Sequence, residues 1–183
     1  MFGCLALWKI EQPFSGQYEE KIYDVPHQGS SQHWTWIKFE DDNYHEWCGQ
    51  FRGAQRAVAL SSKYNLILIA TSDYLFQIDC IRNQITAFES SDDTQKQYQD
   101  LTVTPFGDFI LADYFHIEKI SDSILKRELI NSPIAMDMIT FNCWTENKLL
   151  LSCQELGVVD SKIELEFDAT SDELTIVSRK YNY

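Results

Sequence analysis

The sequence predicts an all-β protein of antiparallel meanders in a small propeller-like or curved-sheet arrangement, with at most one short helix. Three observations carry this. The apolar runs are short and rich in β-branched and aromatic residues, as in "RAVALS", "LILIAT", "YLFQID" and "KLLLSC". Several alternate with period two: in "KIELEF", Ile163, Leu165 and Phe167 fall on one face and Glu164 and Glu166 on the other. Turn signals separate the runs, among them "SSKYN", "TSD", "RNQ", "PFGD", "TEN" and "ATSDE".

The chain begins "MFGCLALWKI", an apolar run interrupted by Lys9. It is too short for a signal peptide or a membrane span, and it reads as a first strand. Next comes "WTWIKFEDDNYHEWCGQFRG", residues 34–53, dense in rings and acids. A two-residue turn at Asp42-Asn43 makes it a hairpin pairing Glu40 with His45, Lys38 with Trp47, Trp36 with Gly49 and Trp34 with Phe51. On that pairing His45 and Cys48 point to opposite faces, so a Cys-His nucleophile pair is badly placed. The hairpin reads as a wall with Asp41 and Asp42 at its tip.

Three later segments share one plan of strand, turn, apolar strand, turn, strand. Their apolar strands begin at Leu66, Phe109 and Leu149, spaced 43 and 40 residues apart. A period near 40 is the rhythm of propeller blades. With the opening hairpin as a fourth unit, residues 1–183 form a single β domain of about four loosely repeated meanders. A twisted sheet or sandwich without true repetition is the alternative. "DSILKRELINSP" is the best helix candidate and equally a strand ending at Pro133, while "SSDDTQKQYQD" is a polar loop with room for one helical turn.

The 183 residues carry 28 acidic and 15 basic side chains, a net charge of −13, with the greater excess in the second half. Such a surface repels phosphate backbones and anionic membranes and attracts a basic protein. The five cysteines form no Cys-x-x-Cys pair and sit in apolar stretches such as "FNCWTE" and "LLLSCQE". They read as free, buried thiols of a cytoplasmic protein.

Little in the chain points to catalysis. His27, His33, His45 and His116 show no metal-ligand spacing, and His116 falls on a strand face with Tyr114 and Glu118. There is no nucleophile elbow or phosphate-cradling glycine loop. Asp41-Asp42 and Asp92-Asp93 lack the spacing of a calcium loop. Tyr74, Phe76, Tyr114 and Phe115 lack the interleaved bases of a nucleic-acid stacking surface and read as core. The expectation is therefore a protein that is not an enzyme and has no catalytic residues, metal or cofactor.

The acidic run from Glu155 to Glu173 is the strongest functional feature, with Glu164 and Glu166 exposed on one strand face and Asp168, Asp172 and Glu173 flanking the next turn. It is either a solvated strand or a docking face for a basic partner, to which Asp41 and Asp42 add. In "WIKFEDDNYHEW", "TSDYLFQID" and "KIELEFDATSDE" the chain resembles the small acidic immunity proteins of bacterial toxin–immunity pairs, including those of contact-dependent inhibition. The resemblance is one of general character and assigns no residue roles. It implies one-to-one binding and neutralisation of a basic toxin domain, a nuclease such as an RNase, by occlusion of its cleft. The alternative is a propeller-like interaction scaffold with no dedicated enzyme target.

Overall fold

A computed structural model describes residues 4–23, 25, 32–41 and 43–181. The described residues form four four-stranded sheets and one helical turn. The chain divides into two compact units, Met1–Gln95 and Lys96–Tyr183, each built on two of the sheets.

In the first unit, β1 (Cys4–Ile10), β2 (Glu19–Tyr23), β3 (Trp34–Asp41) and β4 (Glu46–Arg52) form a sheet of order β1-β3-β4-β2. Here the meander plan gives way, because β2 lies parallel to β4, Glu19 opposite Trp47. The second sheet is a simple meander of β5 (Gln55–Ser61), β6 (Leu66–Thr71), β7 (Tyr74–Asp79) and β8 (Gln84–Ser90). The two sheets share a core in which Ile37, Phe39 and Phe51 meet Ile67, Ile69 and Phe76. After β8 comes α1 (Ser91–Thr94), the single helical turn for which the polar loop has room; the Ser90 side chain caps it by accepting from the Asp92 N–H.

The β3–β4 hairpin corrects the predicted register by one residue. Trp34 faces Arg52, Ile37 faces Gly49, Phe39 faces Trp47 and Glu40 faces Glu46. The cause lies in the turn. Tyr44 takes a left-handed conformation (φ 61°), and the Asp41 carboxylate accepts from the N–H groups of Asn43 and His45 at 2.8 and 3.0 Å. The loop is therefore longer than the two residues expected, and a one-residue slip carries every β4 side chain to the other face. Trp47 and Phe51 now join Phe39 inside, where Phe39 and Trp47 stack at 5.3 Å and Tyr23 and Phe51 at 4.8 Å. Outside, the Arg52 guanidinium lies 4.4 Å from the Trp34 ring, and Lys38 pairs with Glu46 while lying 4.9 Å from the Trp8 ring. The pairs Glu40–His45, Lys38–Trp47, Trp36–Gly49 and Trp34–Phe51 do not form. His45 and Cys48, three residues apart on the strand side of the turn, still fall on opposite faces.

The second unit holds a sheet of β9 (Asp100–Val103), β10 (Phe109–Ala112), β11 (Ile117–Ile120) and β12 (Arg127–Leu129), then one of β13 (Met136–Thr145), β14 (Lys148–Glu155), β15 (Ser161–Asp168) and β16 (Glu173–Tyr181). Its core joins Ile110, Ala112 and Ile117 to Leu149, Leu151, Ile163, Leu165 and Phe167. Two hydrogen bonds tie the sheets together, Trp144 Nε1 to Thr102 Oγ1 at 2.9 Å and Phe141 N–H to the Asp100 carboxylate at 2.8 Å. "DSILKRELINSP" resolves in favour of a strand: Arg127 pairs with Ile120 and Leu129 with Glu118.

The second strands of the three later sheets begin at Leu66, Phe109 and Lys148, so the 40-residue rhythm matches one sheet per repeat. Several turns carry a left-handed residue, at Asn65 in "SSKYN", Asn83 in "RNQ", Glu146 in "TEN" and Asp172 in "ATSDE".

The thiols need one correction. Cys48, Cys80 and Cys153 are free and buried, but Cys143 is free and exposed, since β13 is the outer strand of its sheet with a register shift at Phe141/Cys143. Burial, with smaller contributions from Glu20 and Glu155, pushes Cys48 and Cys153 up to about 11. Iodoacetamide at pH 8 is expected to alkylate Cys143 in the native protein and to reach Cys48 and Cys153 only in denaturant. Peptide mass mapping reads this directly, and native labelling of Cys48 at the rate of Cys143 would contradict it.

Candidate functional site

The acidic run is organised by β15, β16 and the turn between them. Ile163, Leu165 and Phe167 are fully buried in the core of the second unit, which turns Glu164, Glu166 and Asp168 together to the opposite face. Glu173 stands directly across from Asp168. The sequence therefore places these four together correctly. It overstates their freedom, because Glu164 and Glu166 are half-buried rather than exposed.

Counter-ions divide the set. Glu166 accepts from Lys148 Nζ at 2.6 Å, and Asp172 holds Lys119 Nζ at 2.7 Å. Among the described residues neither Glu164 nor Glu173 makes an ion pair; Glu164 accepts instead from the Ser178 hydroxyl at 2.8 Å. The Thr170 N–H, donating at 2.8 Å, holds the Asp168 carboxyl below its ordinary value, so this group stays ionised at neutral pH. Among the described residues Glu164, Asp168 and Glu173 thus make no ion pair, although the Lys148 charge also acts on Asp168. Asp41 lies in the first unit, where its carboxylate is engaged in the hairpin turn. Asp42 lies outside the described residues, as does His27.

The second feature is one that sequence reasoning missed. An apolar cleft of about 480 Å³ opens in the second unit, walled by Phe115, Leu129, Ile130, Ile134, Met136 and Leu156, with His116 at its edge. Phe115 is 45% exposed, Leu129 58% and Leu156 51%. This corrects the reading of Phe115 as core, although Tyr74 and Phe76 are indeed buried. His116 is also displaced from its expected strand face. It precedes β11 in a turn fixed by Asp113, whose carboxylate accepts from the Phe115 and His116 N–H groups, each at 2.7 Å. The available signal was the run "RELINSPIAM", whose apolar residues follow neither a helical nor a strand period.

His45 stacks on Trp47 at 5.9 Å and lies 3.6 Å from Glu19. His116 Nδ1 lies 3.5 Å from Asp113. Among the described residues no three His, Cys, Asp or Glu side chains converge as a metal site, and no helix is long and apolar enough to cross a membrane.

The fold places the chain in the class of all-β, propeller-like proteins. No family model matches it, and no curated protein matches it. Among solved structures it is similar to the extracellular domain of a one component system from B. thetaiotaomicron, at 11% identity and a TM-score of 0.53, over 80% of this chain and 21% of that one. It is similar also to the dihydro-heme d1 dehydrogenase NirN, at 13% identity and a TM-score of 0.53, over 80% of this chain and 34% of that one. The chain thus spans about a fifth to a third of the length of these proteins. At this identity the likeness is one of fold.

Proposed function

We propose that the protein is a cytoplasmic, immunity-type inhibitor that binds a basic toxin domain one to one, the toxin being a nuclease such as an RNase, and occludes its active-site cleft. The observation that supports this reading most is the group Glu164, Asp168 and Glu173, which make no ion pair among the described residues, on one sheet of a chain with net charge −13. A nuclease must present cations to bind phosphate and stabilise developing charge. An array of fixed carboxylates meets those cations, speeds encounter by steering, and keeps substrate out. Free thiols in three buried positions accord with a reducing compartment. On this reading the protein performs no chemistry of its own and needs no metal or cofactor.

The test is capture from the native host at low salt with tagged protein, followed by a nuclease assay on the purified pair. One basic nuclease retained at a one-to-one ratio, and silenced at that ratio, supports the reading. Because Lys148 already offsets Glu166, the informative charge reversals are Glu164→Lys and Glu173→Lys. Together they are expected to slow association about tenfold at low salt and to flatten its salt dependence, while circular dichroism stays unchanged. Unaltered association would remove this strip from the interface.

A second reading, a propeller-like interaction scaffold without a dedicated enzyme target, is favoured by the open apolar cleft, which suits capture of partner segments. Several unrelated partners retained together, with no loss of any nuclease activity, would select it.

A further inference from the structure

One strand of the second unit is distorted beside a hollow. Across β13 and β14, Asp137 faces Gln154 and Thr140 faces Ser152, so Met138 and Ile139 together stand opposite Cys153. This is a bulge, a feature that re-aims side chains. Ile139 stays in the core, while Met138 turns out to solvent with a left-handed φ of 56°. The other left-handed non-glycine residues among those described lie in turns or at the end of α1, and Met138 alone lies inside a strand. Such a conformation is costly for a side chain and persists only where the surroundings impose it.

The hollow, of about 330 Å³, opens beside the bulge and the β14–β15 turn, with Met138, Ser152, Gln154, Asp160 and Lys162 in its wall. That volume lies at the small end of ligand sites, about 300–1,000 Å³. Among the described residues the side chains of Ser152, Gln154, Asp160 and Lys162 make no hydrogen bond or ion pair, so a carboxylate and an ammonium share the wall with neither neutralised. Lys162 also stands directly opposite Lys180 across β15 and β16, and Lys180 likewise has no counter-ion among the described residues. Like charges so placed repel. The next acid along β15, Glu164, accepts from the Ser178 hydroxyl instead.

We infer that this hollow is a binding site for a zwitterionic small molecule, a free α-amino acid, with its carboxylate on Lys162 beside Lys180 and its ammonium on Asp160. Ser152 and Gln154 are left to hydrogen-bond its polar atoms, and Met138 to cover its side chain. A phosphate or other polyanion would be repelled by Asp160, and a bare cation by Lys162. A neutral sugar would satisfy the hydroxyl and the amide and leave both charges as they are. An internal stretch of a partner's polypeptide carries neither charge on its backbone. The site goes beyond the inhibitor reading and needs nothing from it.

The experiment is titration of the isotope-labelled full chain with each proteinogenic L-amino acid in turn, followed by amide chemical shifts, and then with the N-acetyl and carboxamide derivatives of the tightest binder. The expected result is saturable binding of at least one amino acid, with shifts centred on residues 152–154 and 160–162. Each derivative loses one charge-assisted contact and should bind at least about tenfold more weakly. Asp160→Asn should abolish the penalty for N-acetylation, and Lys162→Gln the penalty for the carboxamide. Both side chains are exposed, and circular dichroism checks that the fold is kept. No saturable binding, shifts centred elsewhere, or derivatives that bind as well as the free amino acid overturn the inference. Glucose bound as tightly as any amino acid overturns it too, in favour of a sugar site. None of these results depends on whether a nuclease is captured.

Discussion

Replacing Glu118 by Gln is expected to destabilise the second unit by about 3–5 kcal/mol, the effect of breaking a buried ion pair from one side. Glu118 lies on β11 with its side chain only 14% exposed, between Lys96 and Arg127. Arg127 is itself only 11% exposed, and its other donors reach Tyr98 and the Ile124 carbonyl. Burial alone would raise the Glu118 pKa, but Lys96 and Arg127 outweigh it and hold the carboxyl below its ordinary value. Glutamine keeps the shape and removes the charge, leaving two cations without their counter-ion. The sign of the pH dependence follows from the depressed value. Glu118 stabilises fully above its unfolded pKa of about 4.3, and the contribution is lost as pH falls through the lower folded value. Urea unfolding at pH 7 should show the full deficit in E118Q and at pH 3 a much smaller one. Trp144 is the one tryptophan of this unit and supplies the local signal. A deficit that is the same at both pH values would refute the electrostatic account.

The second large effect is expected at Gly49→Ala. A Cβ there would sit 2.7 Å from Phe39, 2.8 Å from Phe51 and 2.9 Å from Tyr23, measured to ring carbons in each case. All three rings are buried; Tyr23 and Phe51 stack on each other, and Phe39 stacks on Trp47. None can retreat without opening a stack. Overpacking of this kind costs about 1–3 kcal/mol, and contact with three rings places Gly49→Ala at the upper end. Thermal unfolding should fall by roughly 6–12 °C, from about 2–4 °C per kcal/mol at this chain length. A melting temperature within a degree of wild type would mean that the aromatic cluster is looser than these distances indicate.

These two sites show what the sequence could and could not reveal. Period and turn chemistry are local, so the class, the sheet-per-repeat rhythm and the inward set Ile163, Leu165 and Phe167 were all legible. The β3–β4 register was not, because it turns on a left-handed tyrosine and an aspartate side chain that bonds backbone. With the register went the role of Gly49, read as a neighbour of Trp36 and found to be the slot that admits three rings. The acids on β15 could be counted from the sequence, but their counter-ions could not. Lys148 and Lys119 reach Glu166 and Asp172 from 18 and 53 residues away. The cleft was illegible for the same reason, since Phe115, Leu129 and Leu156 meet only through the packing of two sheets.

The parallel pairing of β2 with β4 has a consequence for synthesis. In the three later sheets each strand pairs with its neighbour in the chain, so each new strand finds its partner as it emerges from the ribosome. β2 does not, for its partner is made 28 residues later, Glu19 against Trp47. Until then Tyr23 and Ile22 have no strand to lie on, and the first sheet waits for its last-made member before its opening half can close. Of these four sheets, the first to be translated is the one that must postpone its own completion, and a ribosome paused between Tyr23 and Trp47 would hold β2 with its backbone unpaired.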